Sequence, residues 1–145
     1  MQFTENKEDY RLELMRAIEA SYSRLSRAVD RHINNTSKPI NAEDLDAFPL
    51  RKWIALGTGI KAMKRKNRFK SYLSFDVKMK KGSEFAEHFH DDVIESTEVL
   101  DGEMLDTSSG IVYKVGDVAN WETGIKHTPV ATKETTLHVL FKKHK

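Results

Sequence analysis

Between Leu12 and Ile33, apolar residues return at every third or fourth position: Leu12, Met15, Ile18, Tyr22, Leu25, Val29 and Ile33. Arg16, Glu19, Arg24, Arg27 and Arg31 fill the remaining faces, and this spacing predicts an amphipathic helix. Asn6, with Asp9 three residues on, is placed to cap its start, and the run Asn34-Asn35-Thr36-Ser37-Lys38-Pro39 ends it. The element is expected to span about 24 residues, or about 36 Å. Such a helix is not stable alone, so its apolar stripe is expected to bury itself against the rest of the fold or a second copy. A second, short helix is predicted from Asn41 to Ala47, capped by Asn41 and closed by Pro49.

From Lys52 onward the period changes to two. Leu73, Phe75, Val77 and Met79 alternate with Tyr72, Ser74, Asp76, Lys78 and Lys80, and Leu137, Val139 and Phe141 alternate with Thr136 and His138. Turn signals at Lys81-Gly82, Asp101-Gly102, Ser108-Ser109-Gly110, Val115-Gly116 and Thr123-Gly124 cut the region into short strands. The reading is mainly β: a helical segment over residues 1–50, then an all-β barrel or jelly roll over residues 51–145.

Four potential metal ligands lie in the β region: His88, His90, Glu95 and His127. In a strand, residues i and i+2 share a face, so His88 and His90 point to one ion if Glu87 to His90 is β. Glu95 and His127 would then arrive on neighbouring strands. Three imidazoles and a carboxylate, without a thiolate, suit a single divalent ion of iron, manganese, nickel, cobalt or zinc.

These residues stand in two ordered patterns that resemble the cupin superfamily. Gly82, His88, His90, Glu95 and Gly102 reproduce the first cupin motif, G-x5-H-x-H-x4-E-x6-G. Gly116, Gly124 and His127 follow the second, with Glu122 where proline is usual and Ala131 where asparagine is usual. The resemblance covers roughly residues 52 to 142 and implies a small jelly-roll barrel, an ion held by the four ligands, and a homodimer. Three histidines and one glutamate leave two open positions on an octahedral ion. The superfamily hosts dioxygenases, isomerases, decarboxylases, lyases, sugar-binding regulators and storage proteins.

Composition narrows the setting. The 145 residues suffice for one domain with an appendage. No apolar run approaches the roughly 18 residues of a membrane span, the N-terminus does not read as a secretory signal, and cysteine is absent. A cytoplasmic address is expected, with no disulfide or thiol chemistry. The net charge of +2 hides a segregation of signs: residues 61–70 are rich in lysine and arginine, whereas Glu84 to Glu122 contains one cation, Lys114. Acidic surroundings favour recruitment of a cation. Phe69 is the sole aromatic in the basic run, which argues against a nucleic-acid partner and for a solvated hairpin between two strands.

Asp91, Asp92, Glu98 and Glu122 are the other acids close in sequence to the site, and Glu98 reads as a solvated or dimer-surface residue on the opposite face of its strand from Glu95. Glu122 lies on the approach to His127 and is the candidate acid–base residue. His32, His138 and His144 read as surface or packing residues, and Trp121 and Tyr113 as cavity lining or barrel filling. Two functions are open: a metal-dependent enzyme (dioxygenase, isomerase or lyase) acting on a small polar, organic-acid or sugar-like substrate, or a non-catalytic module that binds a metal or metabolite and signals through its N-terminal helix.

Overall fold

The computed structural model describes residues 3–144, with side chains from residue 11 onward except at 17, 18, 20 and 21. Helix α1 (Phe3–Ile33) is continuous over 31 residues, longer than the apolar periodicity alone marks out. Asn6 therefore lies inside the helix and is not its cap. The stripe divides in two. Near the C-terminal end Ala28 is buried, with Leu25 and Val29 packed on the core. Earlier in the helix Leu12, Met15 and Tyr22 are 49, 56 and 70% exposed, so within one chain the predicted burial covers only the last turns. Ile18 falls outside the described side chains.

The short helix α2 (Ala42–Asp46) forms as expected, with the Asn41 side chain accepting the Asp44 N–H at 2.9 Å. Asp44 is wholly buried and receives Arg31 Nη1 at 2.9 Å and Arg27 Nε at 3.2 Å. A buried carboxylate is tolerable only with such partners, and these pin the last turns of α1 to α2.

Among the described residues nine antiparallel strands follow: β1 (Trp53–Ala55), β2 (Ile60–Arg65), β3 (Tyr72–Met79), β4 (Val93–Asp101), β5 (Glu103–Asp106), β6 (Ile111–Lys114), β7 (Val118–Trp121), β8 (Pro129–Ala131) and β9 (Thr135–Lys143). They form a six-stranded sheet in the order β1-β2-β3-β9-β4-β7 and a three-stranded sheet in the order β6-β5-β8. The fold is mainly β, in two antiparallel sheets, as the period-two pattern predicts. Leu73, Phe75, Val77 and Met79 are all buried, as are Leu137, Val139 and Phe141. The basic run supplies β2 and its turn into β3, a hairpin as expected.

The chain passes from the large sheet into the small one between β4 and β5 at Gly102, where φ is 86° and a Cβ would lie 2.2 Å from the Glu134 carbonyl oxygen. Only glycine fits that approach. Register then sets the inner face: Leu73 lies opposite Phe141, Phe141 opposite Glu95, and Glu95 opposite Trp121. One carboxylate thus stands in a row of large apolar side chains. Ile40, Leu45 and Phe48 join the same core, with Phe48 edge-on to Phe75 at 5.2 Å between ring centroids. No described helix is long and apolar enough to cross a membrane.

Candidate metal centre

The segment leading to the first two histidines is extended without being a regular strand; His88 makes an isolated antiparallel bridge to His127. The two residues exchange backbone hydrogen bonds, His88 N–H to His127 O at 3.1 Å and His127 N–H to His88 O at 2.9 Å. Alternation still holds, and both His88 and His90 are buried. Glu95 comes from β4 and His127 from the bridged segment before β8. One potential ligand atom from each of the four residues lies within 4.8 Å of the others.

Each imidazole is oriented by a backbone carbonyl. His88 Nδ1 meets Ala86 O at 2.7 Å, His90 Nδ1 meets Ile40 O at 2.7 Å, and His127 Nδ1 meets Ile125 O at 3.1 Å. A carbonyl only accepts, so Nδ1 is the donor in all three rings and each neutral ring offers a lone pair at Nε2. Two of those lone pairs face Glu95: its Oε1 lies 3.0 Å from His90 Nε2 and 3.2 Å from His127 Nε2, while its Oε2 accepts the Thr97 hydroxyl at 2.6 Å. His127 Nε2, although so close, forms no hydrogen bond and is buried. Lone pairs converging on a carboxylate repel unless a cation sits among them. The residues fit a divalent metal ion.

The electrostatics agree. Burial, followed by the charges that His127, His32 and His90 would carry, pushes the His88 imidazole well below its ordinary value, which keeps it a neutral lone-pair donor. Burial alone would raise Glu95, but positive charge at the His127 and His90 nitrogens outweighs burial and holds the carboxyl well below the usual range, a charge that an ion would supply where both rings are neutral. Trp121 stacks on His127 with centroids 4.1 Å apart and planes 3° from parallel.

Beside the cluster lies a cavity of about 40 Å³, room for only a few small-molecule atoms. His88 and Glu95 line it with Thr97, His32 and a majority of apolar side chains including Phe48, Phe75 and Phe141. No lysine or arginine is present in this lining.

Residues 42–145 match the family described as the ChrR cupin-like domain. The chain belongs to the ChrR cupin-like family. Among curated proteins none matches it. Solved structures of similar fold include KdgF from Halomonas sp., 17% identical over 66% of this chain and 90% of that one, with a TM-score of 0.59. The complex of Rhodobacter sphaeroides SigE with the anti-sigma ChrR contains another, 22% identical over 63% of this chain and 49% of that one, at 0.55. A third is the cupin domain of an XRE family transcriptional regulator from Enterobacter cloacae, 14% identical over 61% of this chain and all of that one, at 0.53. These likenesses establish the cupin fold. This ChrR cupin-like chain spans about half the length of its SigE–ChrR counterpart.

Other candidates are placed as follows. Glu122 is exposed in the turn before His127, its backbone oxygen accepting the Ile125 N–H, and it is not part of the cavity lining. Glu98 lies on the other face of β4 from Glu95, half-buried beside His138. Asp92 is structural, its carboxylate accepting the Ala42 N–H at 2.8 Å. His138 and His144 stand apart from the cluster. Tyr113 is partly buried and edge-on to Trp121. Two neighbours of the four-residue cluster are passed over in the sequence reading. Thr97 is two residues from Glu95 on the same face, a signal the strand period does carry. His32 comes from α1, is 6% exposed and lies 5.3 Å from His88 between ring centroids, which no local pattern reveals. Burial outweighs its bond to the Ala28 carbonyl and lowers its pKa to about 4.

Proposed function

We propose that this cupin holds one divalent metal ion on His88, His90, Glu95 and His127 and works as a regulatory module, reporting the state of that site through its N-terminal helix. The observation that carries the reading is the hydrogen bond from His90 Nδ1 to the carbonyl of Ile40. A ligand ring is thereby tied directly to the segment that joins α1 to α2. A second tie runs from the Ala86 N–H to the His32 carbonyl at 3.1 Å, two residues from His88. Metal uptake that aligns these rings therefore also orders the end of α1.

The ion, when bound, supplies the positive charge that the converging lone pairs lack and a Lewis-acid centre. The chain's own part is to fix three Nδ1–H tautomers by backbone carbonyls, to orient Glu95 through the Thr97 hydroxyl, and to line the site with apolar side chains. A small apolar cavity without a cationic side chain gives no purchase to an organic acid or sugar-like substrate, which supports regulation over turnover. Similarity to an anti-sigma complex and to a regulator's cupin domain is consistent with this choice. The exposed stripe of α1 supplies a face for assembly, in our reading with a second copy, in the cytoplasm.

Hydrogen exchange on metal-loaded and chelated protein tests the proposal. Loading should slow exchange across residues 24–50 as well as at the ligands. The enzymatic reading draws its support from the open coordination positions that four ligands leave. Product formation or oxygen consumption by the iron-loaded protein, without altered exchange in α1, would favour it and sink the regulatory one.

A further inference from the structure

His32 has no part in the four-ligand set, yet it is buried and faces the same cavity as His88 and Glu95. Its Nδ1 lies 2.7 Å from the Ala28 carbonyl within α1, so Nδ1 donates and the neutral ring carries its lone pair at Nε2. Among the described residues no hydrogen-bond partner takes up that nitrogen. The nitrogen is not sealed off by protein atoms, since among the described residues only His127 Nε2 is a fully buried side-chain atom without a partner, and the ring is flanked by Phe85 at 5.8 Å, Phe48 at 6.4 Å and His88 at 5.3 Å. Of the other polar side chains in the lining, Thr97 already gives its hydroxyl proton to Glu95, and His88 and Glu95 belong to the four-residue cluster. What the cavity offers on its helix side is therefore an acceptor, and its ligand must bring the donor.

We propose that His32 Nε2 binds a small uncharged molecule carrying an N–H or O–H, held in the cavity of about 40 Å³ beside His88 and Glu95. The inference rests on the metal-centre reading above and names the ligand class of that site. Size limits the ligand to a few heavy atoms, and the apolar walls disfavour anything with further polar groups. Because His32 belongs to the last turn of α1, occupation of the cavity is felt directly by the helix.

The test uses the full chain loaded with cobalt(II), whose visible absorption bands respond to added ligands, titrated in mildly alkaline buffer, where hydrazine is uncharged, with hydrazine as a donor probe and azide as a small probe without a donor hydrogen. His32→Leu, which keeps the bulk and removes the acceptor, should weaken hydrazine binding by about tenfold or more and leave azide within about twofold. His32→Gln, whose amide oxygen accepts, should restore most of the hydrazine affinity; if His32→Leu does not fold, His32→Met serves in its place. Equal loss for both probes, no loss for hydrazine, or no hydrazine binding by the cobalt-loaded wild type overturns the role of His32 while leaving the metal centre intact. A wild-type chain that takes up no cobalt overturns the metal centre and this inference with it.

Discussion

Trp121 and His127 lie face to face, 4.1 Å apart and within 3° of parallel. The indole comes from the inner face of β7, directly opposite Glu95 in register, so the ring is set by the strand paired with the one that carries the carboxylate. Stacking leaves the imidazole free to turn only in its own plane, where the Ile125 carbonyl already holds Nδ1. Trp121→Leu should therefore loosen His127, lower metal affinity, and destabilise the fold by about 3 kcal/mol through lost packing. Isothermal titration and denaturant unfolding read the two effects separately.

Stoichiometry is the next expectation. Purified protein should take up close to one divalent ion per chain, measured by elemental analysis after anaerobic preparation. His88→Ala and His90→Ala should abolish binding and remove the ligand-linked part of the melting temperature. Undiminished metal content in the double variant is incompatible with the four-ligand site.

Acid should weaken the metal-free protein in a defined window. His32 has its folded pKa lowered from 6.5 to about 4 and His88 is lowered as well. The unfolded chain therefore binds these protons first. Stability is fully present above about pH 6.5 and is lost as pH falls toward 4, with His32 alone accounting for about 3 kcal/mol. Glu95, also lowered, extends the loss below its ordinary range by the same sign. Urea unfolding in chelator at stepped pH values should show the decline, and His32→Leu should flatten it.

The join between α1 and α2 depends on Asp44, buried between Arg27 and Arg31. Arg31→Ala leaves a buried carboxylate with a weaker partner set and should cost about 3 kcal/mol or more. Asn41→Ala, which removes only the cap, should cost about 1 kcal/mol. If both variants melt with the wild type, α1 is not joined to α2 through Asp44 as described.

Leu12, Met15 and Tyr22 are exposed along the first part of α1, and a helix projecting such residues is expected to find a partner. Sedimentation equilibrium should detect a homodimer that Met15→Glu combined with Tyr22→Glu converts to monomer, with metal binding retained. A wild-type chain that sediments as a monomer throughout would assign the stripe to a different protein.

Glu122 and Glu95 should separate cleanly. Glu95→Gln removes a ligand charge and should lower metal content. Glu122→Gln alters an exposed turn and should leave metal content and stability unchanged, so any loss of ligand response in that variant would bring Glu122 into the site.

Local periodicity determined much of this protein. Alternation in Leu73–Met79 and Leu137–Phe141 marks strands whose apolar members can only face a core, because a strand's side chains have two directions and water occupies one of them. The glycine-framed spacing of His88, His90, Glu95 and His127 was legible for the same reason: loop and strand lengths fix which residues can meet. Spacing says nothing of partners brought in from far along the chain. The carbonyl of Ile40 that orients His90, the stacking of Trp121 on His127, the burial of His32 beside His88, and the split of α1 into a packed end and an exposed stripe all depend on how the helices lie on the barrel. Helical periodicity records that a face is apolar but not what covers it, and a histidine in a helix looks the same in sequence whether solvent or a cavity lies beyond it. Those outcomes were decided by the tertiary fold, where desolvation and directed hydrogen bonds between distant segments first act.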